Sequence, residues 1–378
     1  MSEMLREQPD SLPRDEREMT RREFLETAAI SAAALAIAEG RADDRLPQGD
    51  GHGKEGRMDH HTIEDLVKPY LERDGKLLAA IKEAGGWKQF VGQHAEEVRE
   101  QAFYPEGLEK AVACMDEGDD VTKIGEDNDE RELHLIRSAG SGILDMDLDD
   151  LLGTAPFDCL SPAHIGKTAD AFIAAGITVV HCHGGCGAGG IALEKLWEKK
   201  LDRKLTPEEK KERITPEAVD TLVRDYSELL VAAMRRKLRH MGRENDAEKV
   251  RMHFKPVENL SRPPEAHVAQ VIYYDGTNAF KTRSDVLPAG FLVSAKGLTE
   301  KAGKRTVDLA KTISFGGHGP GELLNGERPL HIVVIGDPSD PAFSEQALLT
   351  RAEEWKASLP PDQKERVVIE SFTAPLSA

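Results

Sequence analysis

Residues 181–190 read HCHGGCGAGG and follow the apolar run ITVV. The chain has only four cysteines, and two of them stand here among histidines and glycines. His183 and Cys186 are separated by two residues, a spacing that one tight turn can bring to a single ion, and Gly184, Gly185 and Gly187 let the backbone wind closely around it. Cys186 falls where a helix is expected to begin, and the free N–H groups there favour a thiolate over a thiol. A catalytic zinc site usually takes three protein ligands and keeps a fourth position for water. The third ligand is best sought in Cys114, at the carboxyl end of the apolar strand EKAVAC, because open parallel sheets gather their sites at those ends.

Three stretches in order carry a resemblance: ACMDEG (113–118), IRSAGS (136–141) and HGGCGA (183–188). Together they resemble the signatures of β-class carbonic anhydrases, C-x-D-x-R, R-N-A-G and H-x-x-C-G-A. The resemblance covers about residues 100–200. It implies an α/β fold with a central, mostly parallel sheet flanked by helices. It also implies Zn²⁺ on Cys114, His183 and Cys186, a homodimer or higher homo-oligomer, and hydration of CO₂ to bicarbonate through a zinc-bound hydroxide. In the family an Asp and an Arg of the first motif pair, keeping the Asp off the metal. Asp116 matches that Asp, but Gly118 stands at the Arg position. Arg137 of the second stretch, or Arg131, is then the candidate replacement cation, and Ser138, Ala139 and Gly140 are expected to line the substrate cleft with backbone groups.

Other readings stay open on the residues themselves. The same zinc chemistry would hydrolyse carbonyl sulfide or carbon disulfide. With Gly118 in place of the arginine, Asp116 could close the metal shell and leave a catalytically silent zinc-binding or interaction protein. Cys114 could be a buried thiol without a metal, and Cys182 could form a disulfide with Cys159 or Cys186. His181 reads as structural, on the face of its strand away from His183. GGHGPG (316–321), with His318, is a glycine-rich loop that could cover the cleft.

The elements needed to position these residues follow from periodicity. Leu66, Val67, Leu71, Leu77, Leu78 and Ile81 recur at helical spacing within 61–100. Strands are expected at EKAVACMD (109–116) and within LHLIRSAGSGIL (133–144), the latter ending in glycines. A helix over 162–175, stopped by Gly176, leads into the strand ITVVH and a second helix through ALEKLWEKK. That alternation predicts a parallel sheet with crossover connections. Thr215-Pro216-Glu217 opens a helix whose core face is Val219, Leu222, Val223, Tyr226, Leu229, Leu230 and Ala233. Beyond it, 266–280, GFLVSA (290–295), LHIVVIGD (330–337) and RVVIESF (366–372) are expected to extend the same sheet, partly by an antiparallel hairpin turning at DGTN, with a helix at 343–358. No internal repeat is visible in the residues. The organisation expected is an N-terminal segment 1–60, a metal-binding domain 61–285 and a C-terminal α/β extension 286–378.

Composition sets the class. At 378 residues and 39% apolar content, a sizeable core can be buried. The formal charge of −18 argues against nucleic acid or an anionic membrane surface as partner. No apolar run reaches the ~18 residues of a membrane span, so the protein is not expected to be integral to a membrane after processing. TRREFL (20–25) before the weakly apolar TAAISAAALAIA (27–38) resembles a twin-arginine export signal, which implies a periplasmic or exported protein; a cytoplasmic amphipathic helix is the alternative.

Overall fold

The computed structural model describes residues 60–115, 123–124, 131–143, 162–256, 270–281, 284–296 and 328–375. The twin-arginine-like stretch, Asp116, Gly118, Cys159 and the loop 316–321 lie outside them.

The fold is α/β, built on two sheets. Helix α1 (His60–Glu83), α2 (Trp87–Gln93) and α3 (Ala95–Ala102) come first. The break between α1 and α2 is at Gly85 and Gly86, whose φ of 94° and 112° lie in the left-handed region that β-carbons disfavour. The first sheet follows, with β1 (Glu109–Ala113), β2 (Lys123–Ile124), β3 (Arg131–Arg137), β4 (Ile177–His183) and β5 (Arg251–Lys255) in the order β2-β3-β1-β4-β5. Its four longer strands are parallel, and the short β2 is antiparallel on the β3 edge.

The crossover into β4 is α4 (Pro162–Ala175), with the bounds the periodicity predicts. After β4 come α5 (Gly187–Leu201), α6 (Pro207–Arg213), α7 (Pro216–His240) and α8 (Glu244–Lys249). Thr215 caps α7, accepting from the Ala218 N–H, and Pro216 takes the first position, where its missing N–H costs nothing. The face expected to be apolar is the face that packs: Val219, Val223, Tyr226 and Leu230 are buried, with Leu222 and Leu229 packed beside them.

The later strands differ from expectation. β6 (Val271–Asp275), β7 (Phe291–Ser294), β8 (Leu330–Gly336) and β9 (Val367–Thr373) do not extend the first sheet; they form their own, in the order β7-β6-β8-β9. All its pairings are parallel, so no hairpin joins β6 to β7 and the division drawn at 285/286 falls inside this sheet. DGTN is a turn all the same, because Asp275 accepts from the N–H and hydroxyl of Thr277 and so bends its own chain. β6 and β7 are fully buried and β8 nearly so, which suits parallel pairing covered on both faces, while the edge strand β9 is partly exposed. Helices α9 (Glu345–Ala357) and α10 (Pro361–Arg366) lie between β8 and β9. With the short antiparallel β2 set aside, the parallel strands follow the same order in both sheets: first strand in the middle, second on one side, third and fourth on the other.

One apolar core runs from α4, α5 and α7 across a face of the first sheet to a face of the second and on to α9. A second core lies between the other face of the second sheet and α1–α3, where Trp87 stacks on Phe372 and meets Tyr273 edge-on. No described helix is long and apolar enough to cross a membrane.

Candidate metal centre

Strands β1 and β4 are parallel neighbours, as the placement of Cys114 and His183 requires. Cys114 immediately follows β1, His183 is the last residue of β4, and Cys186 is the N-cap of α5. The three ligand atoms, two Sγ and one ring nitrogen, all lie within 4.8 Å of one another. Each residue is buried, at 5%, 1% and 2% exposure respectively.

The surroundings fix each donor. His183 Nδ1 lies 2.8 Å from the Gly184 carbonyl oxygen. A carbonyl only accepts, so Nδ1 carries the proton and the lone pair is on Nε2, the tautomer a metal-ligating imidazole needs. The loop 184–186 is pinned twice: Gly184 N–H donates to the Lys255 carbonyl at 2.9 Å, and Gly185 N–H donates to Asp220 Oδ1 on α7 at 2.8 Å. Gly185 has φ of 66°, which explains a glycine there. On the other side, Arg137 Nη1 donates to the Cys114 carbonyl at 2.7 Å, and the arginine is 2% exposed. A charged donor so buried fixes the backbone that carries the first thiol.

Ser138, Ala139 and Gly140 are buried at the end of β3, and the Ser138 N–H donates to the Ala113 carbonyl. Gly140 has φ of 58°, and a β-carbon there would lie 2.4 Å from Ile143 Cγ2, 3.0 Å from Ala188 Cβ and 3.6 Å from Cys186 Sγ. The glycine is thus required for the chain to pass this close to the thiol.

The residues fit a soft or borderline ion such as zinc: two thiols and one imidazole on adjacent strand ends, with the imidazole tautomer set from behind. Cys114, Cys182 and Cys186 carry no disulfide. Cys182 Sγ lies 3.7 Å from the His253 carbonyl oxygen. The expectation that His181 faces away from His183 fails on the period of the strand, since residues two apart share a face. What separates His181 from the cluster is its neighbour, for it stacks on His253 with the two Nδ1 atoms 2.7 Å apart.

Sequence reasoning missed Asp220 and the grip of Arg137 on Cys114. Nothing local marks Asp220, which looks like any polar residue on the outer side of a helix until the fold brings Gly185 to it.

No protein-family model, curated protein or solved structure matches this chain.

Proposed function

We propose that the protein binds one zinc ion through Cys114, His183 and Cys186 and hydrates CO₂ to bicarbonate and a proton, in the manner of the β-class carbonic anhydrases its motifs resemble. The observation that carries this reading is the convergence of the two thiols and the imidazole at the carboxyl ends of neighbouring parallel strands. Zinc held by three protein ligands supplies a Lewis acid that makes a water acidic enough, near a pKa of roughly 7, to serve as nucleophile at neutral pH.

The chain's own residues do the rest. His183 presents Nε2 because Gly184 holds Nδ1–H, and Arg137 keeps Cys114 at the strand end. Ser138 to Gly140 close the site beside Cys186, where their burial keeps bulk water away. Asp116 follows Cys114 by two residues and is the acceptor we assign to orienting the nucleophile, with Arg137 the cation that takes the part of the missing motif arginine.

Zinc content and stopped-flow CO₂ hydration across about pH 6 to 9, on wild type, Asp116→Ala and Gly118→Arg, test the reading. Wild type should carry about one equivalent of zinc and hydrate CO₂, and Asp116→Ala should slow it. Full zinc with wild type and Gly118→Arg both inactive would overturn the hydration reading in favour of a closed zinc site, which the deep burial of all three ligands also suits.

A further inference from the structure

The shared strand order allows the two sheets to be aligned residue by residue. In the first, Ala113 pairs Arg137 and Val112 pairs Val180; in the second, Asp275 pairs Ser294 and Tyr274 pairs Val334. The ladders end alike, with Ser138 N–H donating to the Ala113 carbonyl and Ala295 N–H to the Asp275 carbonyl. The same face is turned to the common core, since Val112, Ile136 and Val180 correspond to Tyr274, Val293 and Val334 in one cluster. This alignment sets Gly276 against Cys114, Lys296 against Ala139, Asp337 against His183 and Asp340 against Cys186. Cys186 and Asp340 each stand at the N-cap position of the helical turn that follows the third parallel strand.

The second set is chemically closed. The Lys296 ammonium bonds Asp337 and lies 3.2 Å from Asp340 Oδ2, joining the counterparts of the His183 and Cys186 ligands. At Gly276 no ligand is possible, because a β-carbon would lie 2.6 Å from the Phe343 carbonyl oxygen and 3.0 Å from that of Ile335. The sheets meet through counterparts as well. β3 and β7, the second parallel strand of each, are in contact, and Arg137 N–H donates to Ser294 Oγ at 2.9 Å. A residue touching its own counterpart is the mark of an isologous contact around a two-fold axis.

We propose that the two sheets are duplicated halves packed as a dimer within one chain, and that the Lys296 ammonium occupies in the second half the position that a metal ion takes in the first. The second half is then the built-in partner of the metal-binding half, which holds the Arg137 segment through Ser294, and the chain carries one zinc and one internal cation. The count of one zinc rests on the function proposed above; the place of Lys296 does not.

The test uses the full chain, with zinc measured by mass spectrometry after gel filtration and Mn²⁺ titration followed by electron paramagnetic resonance. Wild type should retain about one zinc, lost in Cys186→Ser, and bind no Mn²⁺ at the second half. Lys296→Ala should retain the zinc and gain one Mn²⁺ site at least tenfold tighter than any in wild type, and Asp340→Asn added to it should remove that site. Lys296→Gln, closer in size, serves if the alanine variant does not fold. Two zinc ions per wild-type chain, one surviving Cys186→Ser, would overturn the inference, as would folded Lys296 variants that bind Mn²⁺ no better than wild type. A wild type without zinc whose Lys296 variant gains Mn²⁺ would sink the proposed function and support the inference.

Discussion

The carboxyl ends of the two sheets solve the same geometric problem with opposite chemistry. At the first, two thiols and an imidazole converge, groups that can be buried neutral at small cost and that ionise or donate when a soft cation arrives. At the second, Lys296 reaches the buried Asp337 and the partly exposed Asp340, beside the buried Asp275 at the end of the neighbouring strand, and buried carboxylates need compensation at once. They receive it from Lys296, from the Thr277 and Ser339 hydroxyls and from the amides of Thr277, Phe280 and Ser339. The first end has the donors to take an ion from solution; at the second, Lys296 supplies the cation from within the chain. Similar strand order therefore says where a site can form, and the donor types decide whether it stays open to a ligand.

Breaking the ligand set should have the largest effect. Cys114→Ser or Cys186→Ser should abolish binding of about one zinc per chain, while Cys182→Ser should leave it, as metal analysis will read directly. The loop that carries Cys186 offers a graded version. Asp220→Ala removes the acceptor of the Gly185 N–H and should weaken zinc binding about 10-fold or more, measured by competition with a chromophoric chelator.

The second end should respond in stability instead. Lys296→Met strands the buried Asp337 carboxylate and should cost about 3 kcal/mol in urea denaturation, with zinc content unchanged. A smaller effect is expected where the halves touch: Ser294→Ala leaves the Arg137 N–H without its acceptor, for a loss of about 1–2 kcal/mol.

Acid should sharpen the comparison most gently. Burial opposes the charge on Asp337, but Lys296 and Ser339 overcome it and hold the carboxyl below its ordinary value. A carboxyl lowered on folding stabilises fully above its unfolded pKa and loses that contribution as pH falls through the folded one. Asp275 runs the other way, its fully buried carboxyl raised by desolvation against the bonds from Thr277 and Phe280 and the nearby charge of Lys296. The difference between wild type and Lys296→Met isolates the first effect. It should be widest near neutral pH and narrow below about pH 4, where the stranded Asp337 of the variant is protonated and relieved. A gap that stays constant on acidification would show that Lys296 acts by packing alone.

The residues themselves determine a good deal. The spacing of His183 and Cys186, the strand ahead of them and Gly176 ending α4 are local patterns, so periodicity and turn chemistry suffice to read them. The apolar face of α7 is legible for the same reason. Cys114 is identified by its place at a strand end, a rule about parallel sheets that needs no coordinates. What only the tertiary structure decides are pairings between distant segments. Whether β6–β9 continue the first sheet or build another depends on which strand edges meet, and largely apolar strands look alike in either arrangement. The halves' likeness is invisible to a scan for repeats because it is carried by strand order and register, while the aligned residues at the sites differ, histidine against aspartate and cysteine against aspartate. Asp220 under Gly185, Arg137 on the Cys114 carbonyl and Lys296 between two carboxylates are likewise contacts across 35, 23 and at least 41 residues. Side chains that far apart acquire partners only when the core brings their strands and helices together.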